Sequence, residues 1–382
     1  MSKRARLLIG VVTIGALAAL GYAVLRPEDP TPDPPSESTG YLEIGKIDVH
    51  THLAPSSVEQ TLRFMDAHGI SVALNASGGT PQRGLHASAA IARQTGGRIR
   101  PYCNLSFRWA ATEDFPRYVN DTLRDCKALG GVGIKISKAL GLGVLLEDGS
   151  LLAVDDPRLD PLFAMAGELR LPILIHTGDP KAFFEAPTPD NERYAELQAH
   201  PSWSFYGPRP DGGEWPSWED LFRQFEHRVA RHPETTFVGA HFGNAPEDPE
   251  RVGALLERCP NLVIETGARV PEIGRHDADE MRAFFERFQD RILFGTDLGV
   301  NPGGLMLGST GPEPATEEQV PFFFDAHWRY FETRGRGMNH PTPIQGDWTI
   351  DGIGLDAGVL RKLYRDNAIR VFGLPDGEGP PD

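Results

Sequence analysis

The stretch Lys46-Ile-Asp-Val-His50-Thr-His52-Leu53 (KIDVHTHL) decides the fold. A short apolar run leads into two histidines two residues apart. Residues i and i+2 of a strand face the same side, so both imidazoles are aimed at one place. The pattern recurs along the chain: LPILIH ends in His176, TTFVGAH in His241 and RILFGTD in Asp297. Each ionisable residue closes an apolar run. An unpaired polar group there costs free energy, so stability alone does not explain the placement.

Working outward, short β-rich runs alternate with amphipathic stretches. Strands are predicted over 46–52, 71–77, 98–106, 131–137, 171–177, 235–241, 262–266 and 292–297. Most are nearly continuous apolar runs, as parallel strands covered on both faces should be. Helices are predicted over 57–68, 115–129, 157–170, 218–232, 249–258, 278–289 and 356–372. Asp156-Pro157 supplies a cap and first-turn pair, and Gly130-Gly131 a stop signal. Repeated β–α units predict an α/β fold, a (β/α)₈ TIM barrel over residues 41–382. No G-x-G-x-x-G opens a helix after the first strand, so a dinucleotide fold is not indicated.

Two connections are long: 178–217 after the fifth strand and 298–355 after the eighth. Both leave strand C-termini, the catalytic face of such a barrel. Both are rich in aromatics, Phe183, Trp203, Tyr206 and Trp215 in one, Phe322–Phe324, Trp328 and Tyr330 in the other. They are expected to form lids or binding walls, with most of the rings structural.

The N-terminus reads differently. Lys3, Arg4 and Arg6 precede an apolar run from Leu7 to Leu25. That length, roughly 28 Å as a helix, suits a signal anchor or a signal peptide over residues 1–25. Residues 26–40, RPEDPTPDPPSESTG, hold five prolines and form an extended linker. The barrel is therefore expected to be exported, touching membrane only through its N-terminal segment. A net charge of -15 argues against a nucleic-acid partner. Cys103, Cys126 and Cys259 show no paired spacing and are read as unpaired buried thiols.

Imidazole and carboxylate ligands at four strand ends suit a divalent metal: one Zn²⁺, or alternatively Mn²⁺ or Fe²⁺. The segments KIDVHTHL, LPILIHTGDP, FVGAHFGN and RILFGTDLG, with the closing LYRDNAIRVFGL, resemble the amidohydrolase superfamily. The branch they are similar to includes aminocarboxymuconate-semialdehyde decarboxylase. The resemblance implies a metal held by His50, His52, His176 and Asp297, with Asp297 and His241 catalytic. The expected reaction is metal-dependent hydrolysis, in which water attacks a C–N or C–O bond of a small molecule. Asp297 would accept its proton, and His241 would bond the substrate carbonyl or the water. Non-oxidative decarboxylation on the same site is the alternative reading, and a catalytically inactive exported barrel a third. Binuclear relatives carry a carboxylated lysine at a fourth-strand end, which makes Lys135 a candidate second-metal or interior residue. Arg108, Arg269, Glu265 and Tyr206 are candidate substrate-binding residues, Glu265 alternatively orienting a metal-bound histidine. Oligomeric state is open, with a homodimer as one candidate.

Overall fold

A computed structural model of the protein describes residues 41–376. The expected apolar segment 7–25 and linker 26–40 lie outside the described residues. Among those described, no helix is long and apolar enough to cross a membrane.

Eight parallel strands form the predicted barrel: β1 Lys46–Leu53, β2 Ile70–Asn75, β3 Ile99–Pro101, β4 Ile134–Ile136, β5 Ile173–Ile175, β6 Phe237–Gly239, β7 Leu262–Glu265 and β8 Ile292–Leu293. Regular pairing runs β1–β2–β3 and β4–β5–β6–β7–β8. Two seams close the ring. At β3/β4, the Cys103 N–H donates to the Gly133 carbonyl and the Lys135 N–H to the Cys103 carbonyl, both at 2.8 Å. At β8/β1, the Val49 N–H donates to the Phe294 carbonyl (3.0 Å) and the Asp297 N–H to the His50 carbonyl (2.8 Å). The second seam places the two ends of the barrel sequence side by side, and with them His50 and Asp297.

Leu74, Leu174, Val238, Val263 and Leu293 fill the barrel interior, closed at one end by Phe372 and Leu374. Their alternates, including Ile173, Ile175, Phe237, Leu262 and Ile264, pack outward under the helices. This alternation turns Lys135, His176 and Glu265 inward. The β1–β2 register shifts between Asp48 and Thr51. Such an irregularity re-aims side chains at a strand end, and both His50 and His52 reach the mouth.

Three features differ from the sequence reading. The β2–β3 crossover contains a helix, Leu85–Gln94, whose Ala-rich run LHASAAIARQ has only a thin apolar stripe. The long connection after β8 is not one loop: a hairpin of β9 Leu298–Asn301 and β10 Gly304–Leu307 extends the sheet beside β1. The helix Val320–Glu332 then buries Phe323, Phe324, Tyr330 and Phe331. Those rings belong to the core, and Phe331 and Trp328 pack on Phe294 at centroid distances of 6.4 and 5.2 Å.

The third difference corrects the cysteine reading. Cys103 and Cys126 are joined as a disulfide, with Cα atoms 6.0 Å apart, while Cys259 is free and buried. The bond links the β3/β4 seam to the helix Phe115–Ala128. A separation of 23 residues carries no spacing signal; only the fold brings the pair together. Closing a loop of that size is worth about 3 kcal/mol. Cys126→Ser should therefore lower the urea midpoint relative to the oxidised parent, and dithiothreitol should bring the parent down to match. Identical midpoints under oxidising conditions would show that the bond contributes nothing.

Candidate metal centre

The strand tips bring all five predicted residues into one cluster. Asp297 Oδ1 lies 3.5 Å from His50 Nε2 and 3.3 Å from His52 Nε2. His241 Nε2 stands 3.2 Å from His176 Nδ1. The His50 and His241 rings join these pairs, with centroids 5.0 Å apart. His50 and His241 are buried, and His52, 29 % exposed, faces the opening.

The outer atoms of the rings decide what the inner atoms are. His50 Nδ1 meets Glu265 Oε1 at 3.0 Å, His241 Nδ1 meets the Gly267 carbonyl at 2.8 Å, and His176 Nε2 meets the Asp179 carbonyl at 3.1 Å. Carbonyl and carboxylate oxygens only accept, so each outer nitrogen carries the proton. In a neutral ring so bonded, the inward nitrogen carries a lone pair. His52 Nδ1 pairs with Ser77 Oγ at 2.7 Å. Burial holds His52, His176 and His241 well below the usual histidine range, which keeps them neutral as ligands must be.

Asp297 completes the set. Its Oδ1 is buried and makes no hydrogen bond. Burial pushes its carboxyl up, against the pull of His50 and Lys135. Lone pairs facing each other across 3.2 Å and an orphaned carboxylate oxygen form a poor arrangement without a cation and a good one around it. Nitrogen and carboxylate donors of this kind fit zinc, manganese or iron. Two close groupings share His241: His50, His241 and Asp297, and His176, Asp179 and His241.

The backbone is bent to make this site. His241 has φ 54° and Asp297 φ 60°, left-handed values unusual for residues other than glycine. Side chains hold them there. Glu265 Oε1 accepts the His241 N–H (2.7 Å), and Asp48 Oδ1 accepts the N–H groups of both His50 and Thr296 at 3.1 Å. Burial pushes the Asp48 carboxyl up to about 7 despite those bonds.

Glu265 is thus an orienting residue. It is fully buried, and a Cβ on Gly267 would lie 2.7 Å from its Oε2, so the cradle admits no side chain. Burial raises its carboxyl, but His50 and the bonded N–H groups outweigh that and hold it low. Glu265→Gln offers one acceptor oxygen to the three N–H donors of His50, His241 and Gly267. Metal affinity, measured by chelator competition, should fall about 10- to 100-fold. Unchanged affinity would remove the orienting role.

Lys135 faces the interior, its Nζ 3.0 Å from His50 Nε2, and burial lowers its ammonium to about 8. Three candidates behave differently from expectation. Arg269 is committed to Asp179, its Nε 3.0 Å from Oδ1, and is not free to clamp a substrate. Arg108 sits on the exposed turn Phe107–Trp109, its guanidinium 4.8 Å over the Trp109 ring. Tyr206, 56 % exposed, lines an open groove with Phe184, Phe205 and Trp215. Neither touches the cluster, because their turns lie well past the strand ends. Asp179 was missed, although it stands in the same IHTGDP run as His176; Ser77, just beyond β2, gave no signal.

Solved structures with similar folds include 2,6-dihydroxybenzoate decarboxylase from Rhizobium, 17 % identical over 86 % of this chain and 99 % of that one, TM-score 0.49. Dihydroxybenzoic acid decarboxylase from Polaromonas sp. JS666, with bound manganese and 2-nitroresorcinol, is 14 % identical over 86 % and 97 %, TM-score 0.50. A probable 2-pyrone-4,6-dicarboxylic acid hydrolase from Acinetobacter baumannii is 13 % identical over 87 % and 100 %, TM-score 0.48. At such identities the likeness concerns the fold. No curated protein matches the sequence. The amidohydrolase family model matches residues 47–374, which takes in every strand tip of the cluster, and the chain belongs to the amidohydrolase superfamily of metal-dependent enzymes.

Proposed function

We propose that this enzyme is a metal-dependent hydrolase that adds water across a C–N or C–O bond of a small molecule. One observation carries the reading: outer acceptors turn the lone pairs of His50, His176 and His241 inward, beside the unbonded Asp297 Oδ1. In this reading His50, His52, His176 and Asp297 hold the cation. When bound, such an ion acidifies water and polarises a carbonyl.

The remaining steps belong to the chain. Asp297 takes the proton of the attacking water and returns it to the leaving group. Of the two partners expected for His241, the water fits its ring. With its Nδ1–H given to the Gly267 carbonyl, Nε2 accepts rather than donates. It can align the water but cannot, as a neutral ring, hydrogen-bond an oxyanion. Lys135 is the buried donor next to His50. The disulfide supports maturation in an oxidising compartment, in keeping with export directed by residues 1–25.

The test is metal analysis of the full-length protein, followed by a screen of esters, lactones, amides and aromatic carboxylates in ¹⁸O-labelled water. Metal in the protein with label in the product is expected. Carbon dioxide release with no label in the organic product would replace hydrolysis by decarboxylation, and a metal-free, inert protein would end the enzyme reading.

A further inference from the structure

Three basic side chains surround the centre. Lys135 is bonded to His50, and Arg269 is paired with Asp179. Lys138 is the third. It follows β4 by two residues and is only partly buried. It stands three residues beyond Lys135, whose Nζ meets His50, so the turn after β4 carries it to the rim of the mouth. Among the described residues it makes neither a hydrogen bond nor an ion pair. Its Nζ instead sits over three rings of the 178–217 connection: Phe183 at 4.9 Å, Trp203 at 5.6 Å and Phe205 at 5.7 Å.

Ring faces attract an ammonium but do not neutralise it, and they leave its N–H donors unspent. The cage therefore fixes a cation in position while keeping it available. The wall is itself anchored. His200 stacks on Trp203 at a 4.0 Å centroid distance, and its Nε2 meets Thr310 Oγ1 at 2.8 Å. Ser309 donates to Glu196. Both long connections thus hold the cage, so the lysine is not a mobile surface charge.

We propose that Lys138 is the anion-binding residue of the substrate site, and that the enzyme takes small molecules carrying a carboxylate or similar anionic group. This rests on the cluster being the reaction centre, and it assigns the substrate class that the earlier candidates Arg108 and Arg269 do not supply. The anion meets Lys138 on the side away from the rings, while the body of the molecule lies toward Asp297 and His241.

The probes are benzoate and its neutral counterpart benzamide, titrated by calorimetry and by tryptophan fluorescence into the full-length protein, Lys138→Met and Lys138→Arg. The parent should favour benzoate. Lys138→Met should lose about tenfold or more in benzoate affinity, as expected for one charge-assisted bond, with benzamide little changed. Lys138→Arg should recover part of the loss. A parent without carboxylate preference, or a preference that survives in Lys138→Met, overturns the proposal. Metal content is measured on the same samples. A metal-free parent that still prefers benzoate through Lys138 would sink the hydrolase reading and leave the anion site standing.

Discussion

Asp297→Asn should abolish turnover, with a loss of about 10²- to 10⁴-fold, and leave the fold intact. Asparagine is the informative replacement because residue 297 has φ 60°, where Asn and Asp are tolerated and most other side chains are strained. The Asp297 N–H bond to the His50 carbonyl, which closes the barrel, is kept. What disappears is the negative charge and the proton acceptor at a buried oxygen that makes no hydrogen bond. In its place a neutral amide faces the inward nitrogens of His50 and His52. Metal affinity should fall as well, so rates are to be measured at saturating metal, with the urea midpoint as the control for folding. Full activity in a well-folded Asp297→Asn protein would remove both roles assigned to this carboxylate.

The site was legible because its residues close apolar strands, and strand position is a local property. His50, His176, His241 and Asp297 could each be placed by reading a few neighbours. What escaped depends on the geometry of turns or on contacts between distant segments. The acceptor on His176 is a carbonyl three residues on, whose place follows from the turn after β5. The cage around Lys138 needs the 178–217 connection to fold back over β4. Cys103 meets Cys126 only once a helix packs beside β3. The helix Val320–Glu332 was hidden for another reason: its rings were expected to be mostly structural, but apolar side chains buried on several faces leave no single stripe to mark a helix.

Arg269→Met should destabilise the protein by about 3–5 kcal/mol, the usual result of stranding one partner of a buried ion pair. Asp179 is 1 % exposed and Arg269 4 %. The pair is doubly bonded, Arg269 Nε lying 3.0 and 3.1 Å from the two carboxylate oxygens, and burial of the guanidinium is outweighed by the charge of Asp179. A methionine fills the space but leaves the carboxylate in the interior without its bonded counter-charge. The effect should reach the metal centre, because the main chain of the same Asp179 accepts the His176 ring proton. A double variant, Arg269→Met with Asp179→Leu, separates the two consequences. Removing both charges should return most of the stability, since buried pairs replaced by apolar groups of similar size are often neutral. If stability alone were at stake, metal affinity would return with it. If the pair positions the turn that bonds His176, the double variant should regain its urea midpoint and still bind metal more weakly than the parent. An Arg269→Met protein as stable as the parent would mean that Asp179 is not stranded, and that the pair does not hold the loop behind His176.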